Sequence, residues 1–206
     1  SRIVLGALLA MFVVQIIYGA TRYGVWMGFN GGDMRVLVDL GAKYNPAIYQ
    51  GEYWRFFTAT LLHSGVLHLM FNLYALFSLG PLLEAYLGPA RFLAIYVLGG
   101  LFGSLLSYAF TDSVSVGASG AIFGIFGATI VYFFRYRHAF GANGRAILQN
   151  MLFILVVNLV FGFAANARID NWGHIGGLIG GAIVAIGLVP KYEAPTTPAY
   201  GIQPLK

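Results

Sequence analysis

The chain has 206 residues, 59% of them hydrophobic and only 9% charged, with a mean hydropathy of +0.76; soluble domains carry about 25% charged residues, so a water-soluble domain is excluded. The net charge of +5 is not gathered into a basic patch separable from the apolar stretches, which argues against nucleic acid as a partner and for basic residues that orient the chain in a bilayer. With no cysteine, disulfides, thiolate catalysis and Cys-based metal sites are ruled out, and no motif asks for a metal or a cofactor.

Taken in chain order, the apolar residues fall into six stretches, predicted as spans at 3–20, 62–83, 91–110, 116–134, 147–164 and 172–189. Most are near the ~20 residues that cross a bilayer. The expected fold class is therefore an all-α membrane protein, a bundle of six transmembrane helices, with one membrane domain over 1–190. The opening at Ser1 runs directly into an apolar stretch without an A-x-A-like cleavage site, so it reads as a trimmed start and not as a signal peptide. Between the first two spans, Thr21 to Leu61 mixes charges with Tyr44, Tyr49, Tyr53, Trp54, Phe56 and Phe57, a composition that suits the membrane interface. Trp54 reads there as an interfacial anchor and Arg55 as a contact to lipid phosphate. The tail 191–206, with Pro195, Pro198 and Pro204, reads as a disordered end.

Arg135, Arg137 and Arg145 lie between the fourth and fifth stretches, whereas the loops after the third and fifth hold only Arg168. The positive-inside rule makes the first of these loops cytoplasmic, which puts both termini inside and runs the second, fourth and sixth spans from outside to inside. Polar residues inside those spans are costly, and each is a functional-site hypothesis by default. His68 and Asn72 sit near the outer end of the second, Ser119 near that of the fourth, and His174 near that of the sixth. They share one depth. A hydroxyl beside an imidazole is the pair that nucleophilic acyl transfer needs, so Ser119 is a candidate nucleophile and His174 a candidate base. Phe123, one turn beyond Ser119, is placed to stack on His174, and Asp170, one turn before it, reads as a helix cap. His68 and Asn72, at i and i+4, with the backbone N–H of Ser119, are candidate donors to an oxyanion. Glycines at 117, 120, 124 and 127 and at 173, 176, 177, 180 and 181 give the fourth and sixth spans small faces for close approach.

The set resembles the rhomboid family of intramembrane serine proteases. The matching segments are Trp54-Arg55, His68-x-x-x-Asn72, Gly117-Ala118-Ser119-Gly120-Ala121 with Gly124, and Gly173-His174-Ile175-Gly176-Gly177. The resemblance implies a six-helix rhomboid core in which Ser119 is nucleophile, His174 general base and acid, and His68 and Asn72 line an oxyanion hole. It also implies transmembrane protein substrates that enter sideways from the lipid bilayer and are cut near their outer end. Many relatives have Tyr where this chain has Phe123, and some have a seventh span. The expected location is a multi-pass position in a bacterial plasma membrane, with termini cytoplasmic and the site opening outward. Two other functions compete: a rhomboid-like binder of membrane clients that does not cut them, and a small transporter using His68 and His174 as relays. The oligomeric state is left open.

Overall fold

The computed structural model describes residues 1–26, 28, 32–164 and 169–190. Nine α-helices are found among them: α1 (Arg2–Tyr23), α2 (Met34–Asp39), α3 (Asn45–Tyr49), α4 (Arg55–Thr58), α5 (Val66–Leu87), α6 (Pro89–Phe110), α7 (Ser119–Arg135), α8 (Arg137–Ala164) and α9 (Asn171–Leu188). In lipid every backbone polar group must be satisfied within the segment, which is why the apolar stretches fold as helices. Helices α1, α5, α6 and α9 are long and apolar enough to span a bilayer, and Ser119–Arg135 and Gly144–Val160 are shorter apolar helices. The protein is thus an all-α, multi-pass membrane protein.

Helix ends follow local chemistry. Gly24 closes α1 in the left-handed region, its N–H bonded to Ala20 C=O. Gly88, also at positive φ, breaks the chain between α5 and α6, and Pro89 then starts α6 where its missing N–H costs nothing. Two boundaries depart from the sequence expectation. The fourth span begins at Ser119, three residues later than expected, because Gly117 at φ +130° lies outside helical space. The fifth begins at Arg137, ten residues early, with a break at Gly141 (φ 54°, ψ −133°), a conformation suited to glycine. The interfacial linker is also more structured than its composition suggests, holding α2, α3, α4 and a 3-10 turn at Ala59–Leu61. The predicted tail, 191–206, lies outside the described residues.

The core is the packing of α6, α7 and α9 against one another. Glycine makes it possible. A methyl on Gly99 of α6 would meet Gly124 Cα of α7 at 2.9 Å, and one on Gly103 would meet Gly173 C=O of α9 at 2.7 Å. A methyl on Gly177 or Gly181 of α9 would run into the carbonyls of Gly120 and Gly124, while Gly176 and Gly180 face Leu106 and Phe102 of α6. The α9 glycines therefore flatten two adjacent sides, one for each neighbour.

Candidate active site

Ser119 is the first residue of α7 and His174 lies in the first turn of α9, so close packing of these two helices brings both side chains to one end of the bundle. Ser119 Oγ and His174 Nε2 stand 2.9 Å apart. Phe123, one turn along α7 from Ser119, stacks on the His174 ring at a centroid distance of 4.2 Å and 7° between planes. Its ring sets the plane of the imidazole, a part that needs no hydroxyl. His174 Nδ1 is buried without a hydrogen-bond partner among the described residues. Asp170 does not reach that nitrogen: its Oδ1 accepts from Gly173 N–H at 2.8 Å and caps α9.

His68 approaches the same point from α5. A methyl on Gly117 would stand 2.7 Å from His68 Cε1, 2.8 Å from Nε2 and 3.6 Å from Ser119 Oγ, so a glycine is needed for the loop to pass the edge of the His68 ring. The far nitrogen, Nδ1, lies 3.0 Å from Ser64 Oγ and accepts from Ser64 N–H at 3.4 Å. A backbone N–H can only donate, so Nδ1 is the acceptor and the neutral ring carries its proton on Nε2, the nitrogen facing Gly117. Asn72, buried one turn further along α5, donates one amide N–H to His68 C=O at 2.9 Å.

The ground beneath these residues was not visible in the motifs. Gln15, buried in α1, bonds both ways to the His63 backbone, Nε2 donating to C=O at 2.8 Å and Oε1 accepting from N–H at 3.0 Å. It fixes the chain just before α5. Lys43 is only 1% exposed, and its ammonium donates to the carbonyls of Thr111 and Ser113 at 2.7 and 2.8 Å. Its backbone pairs with Ser115, N–H to C=O at 3.0 Å in both directions, and Gly117 N–H bonds Ala59 C=O at 2.9 Å. The interfacial segment thus straps down residues 111–118, which lead into Ser119. Burial holds the Lys43 ammonium below the ordinary lysine value of 10.5, with Asp170 and Asp112 opposing that shift. Gln15 was detectable in principle, as a polar residue in the middle of a span.

Arg55 corrects the expected lipid contact. It is buried, paired with Glu52 at 2.7 Å, bonded to the carbonyls of Val38 and Ala42 at 2.6 and 3.1 Å, and stacked over the half-exposed Trp54 ring at 4.7 Å. A guanidinium satisfied inside the protein has no fork free for phosphate.

A hydroxyl hydrogen-bonded to an imidazole, with a second N–H-bearing imidazole across a glycine, is an arrangement that acyl transfer can use: one ring can take a proton and the other can donate to a developing negative charge. Comparison with known proteins agrees in kind. Residues 50–191 match the model of the Rhomboid domain family. The chain is 48% identical over 169 residues to Rhomboid protease GluP of Bacillus subtilis, covering 80% of this chain and 32% of that protein. It is 39% identical over 178 residues to RHOMBOID-like protein 5 of Arabidopsis thaliana (80% and 56%) and 32% over 167 residues to Rhomboid-like protease 1 of Toxoplasma gondii (80% and 56%). The chain therefore spans about a third of the first of these relatives and rather more than half of the other two.

Proposed function

The chain belongs to the rhomboid family, and from that premise we propose that it is an intramembrane serine endopeptidase that cuts transmembrane protein substrates near their outer end. The observation that carries this activity is the 2.9 Å approach of Ser119 Oγ to His174 Nε2 inside an apolar bundle. In the proposed reaction Ser119 Oγ attacks a peptide carbonyl while its proton passes to His174 Nε2, which requires the resting imidazole to carry its proton on Nδ1. The imidazolium then returns the proton to the leaving amine, and water hydrolyses the acyl-enzyme with His174 again as base. His68 Nε2–H, the second amide N–H of Asn72 and the Ser119 backbone N–H at the positive end of α7 are the proposed donors to the oxyanion.

Six crossings are proposed with α7 and α8 among them, both termini cytoplasmic and the Ser119 end facing outward. Arg135 and Arg137 at the α7–α8 junction support that orientation. A 17-residue α7 is about 26 Å long, against about 30 Å of hydrocarbon, so with Arg135 held at the inner surface Ser119 lies below the outer one. The chemistry is tested with a transmembrane reporter and a fluorophosphonate. Ser119→Ala and His174→Ala are each expected to abolish cleavage, and Ser119→Ala to abolish labelling, with the extracted protein still folded. Near-parental cleavage by either variant would overturn the assignment.

A further inference from the structure

Two pairs of residues join the α7 and α9 ends, and they have the same spacing. Ser119 meets His174 across 55 residues, and Ser115 meets Asp170 across 55 residues, each member four positions before its counterpart. Ser115 Oγ donates to Asp170 Oδ2. The other carboxylate oxygen of Asp170 caps α9 through Gly173 N–H, and its backbone carbonyl accepts the N–H of His174 at 3.1 Å. Asp170 is thus bonded to the residue that carries the imidazole and to the segment that carries the serine.

Ser115 is not free to follow. Its backbone is paired in both directions with Lys43, whose ammonium also holds Thr111 and Ser113, and two residues on Gly117 is bonded to Ala59. The Ser115 hydroxyl is therefore a side-chain link between a rigid strap and the cap of α9. Capping α9 needs only Oδ1, and the strap is held by Lys43 without the hydroxyl, so neither element requires the Ser115–Asp170 bond for its own formation. What the bond adds is a fixed offset between them.

We propose that Ser115 and Asp170 are positioning residues that set the distance and angle between Ser119 and His174. The role presupposes the Ser119–His174 chemistry proposed above. Neither residue touches the reacting atoms. An error of about 1 Å at a reacting pair can cost roughly 10²-fold in rate, and loss of one link that leaves the glycine packing intact should cost less.

The test compares Ser115→Val, which removes the hydroxyl, with Ser115→Thr, which keeps it at the same volume, in the full detergent-extracted chain. Ser115→Val is expected to lower kcat about tenfold with KM within about twofold, and to slow fluorophosphonate labelling in step. Ser115→Thr is expected to stay within about threefold of the parent in both readouts. A fold-only role would lower the labelled end-point and the thermal stability together, whereas mispositioning slows labelling toward an unchanged end-point. Should Ser115→Val misfold, Ser115→Ala makes the same comparison without the added methyls. Parental kcat in a folded variant lacking the hydroxyl, equal losses in the threonine and valine variants, or a loss confined to KM would each overturn the role. Ser119→Ala is run in parallel: residual cleavage there defeats the protease assignment, whereas a dead Ser119→Ala beside an unaffected Ser115→Val defeats only the positioning.

Discussion

The His68 imidazole is the side chain whose protonation the structure argues most directly, because Ser64 N–H can only donate to its Nδ1. The proposed oxyanion role makes a graded prediction. His68→Ala removes the Nε2–H donor, and loss of one such donor in soluble serine proteases costs about 10²- to 10³-fold in kcat. With Asn72 and the Ser119 N–H sharing the load, a smaller loss is expected here, and the His68→Ala/Asn72→Ala double variant should lose less than the product of the singles. Parental cleavage by the double variant would leave both residues with a structural role only. Lys43 makes a stability prediction. Lys43→Met takes a charged donor from the Ser113 carbonyl and leaves the Thr111 carbonyl with only the Asn45 amide, which should cost about 1–3 kcal/mol. The sign of its pH dependence follows from burial: the folded state loses the Lys43 proton at a lower pH than the unfolded chain, so between the folded value and 10.5 the unfolded state binds more protons. Parental stability should therefore rise relative to Lys43→Met as the pH climbs toward 10.5 in thermal unfolding, and a flat or falling difference would contradict it. Ser119, His68 and His174 were legible because polar side chains in apolar spans announce themselves. Gln15 carries the same signal, but its partner does not, and the roles of Lys43 and Arg55 were hidden because they bond mainly backbone groups, which every residue carries and no sequence pattern marks.

At the scale of the helices, the site's geometry depends on how closely α7 and α9 approach. Without a hydrophobic drive between helices in lipid, that approach comes from small faces and dispersion contacts. Gly181 against Gly124 C=O and Gly177 against Gly120 C=O leave no room for a methyl, and backbone on both sides cannot swing away. Gly181→Ala is expected to separate the helices and abolish both cleavage and fluorophosphonate labelling with a clear loss of thermal stability. Gly6→Ala and Gly187→Ala, where an added methyl meets nothing within 4 Å, should leave all three unchanged. Equal tolerance at Gly181 and Gly187 would remove the argument for close packing as what builds the site. The glycine spacing was readable from the sequence, and so was the existence of each long helix. Their boundaries were less so, because hydropathy does not register backbone conformation: 116–118 are apolar enough to extend a span, yet Gly117 at φ +130° keeps them out of α7.

On the scale of the whole molecule, α6, α7 and α9 form a tight unit, and α8 leans on α7 with little contact to α9. Among the described residues α5 and α8 make no extensive contact. Both turn apolar side chains outward, Phe71, Tyr74 and Phe77 on α5 and Phe153, Val156 and Val160 on α8. The proposed cleavage requires a substrate helix to reach Ser119 from the bilayer, and the loosely held α8 is the element that can yield at the modest energies typical between membrane helices. The bulky rings Phe153 and Phe163 on this helix are 67% and 62% exposed, so among the described residues they do not hold it closed; the Phe161 side chain and Ala165, Asn166 and Ala167 lie outside the described residues. Trimming Phe153 or Phe163 to Ala is accordingly expected to change turnover little, and the gate must be tested by tethering. The chain has no cysteine, so Phe71→Cys with Val160→Cys can be bridged by a bis-maleimide whose spacer contains a cleavable disulfide. If substrate enters between α5 and α8, the tethered enzyme should lose cleavage of a transmembrane reporter and regain it on reduction, while a small fluorophosphonate still labels Ser119 throughout. Retained labelling separates a closed gate from a distorted site. Full cleavage in the tethered enzyme would place the entry route on another side of the bundle.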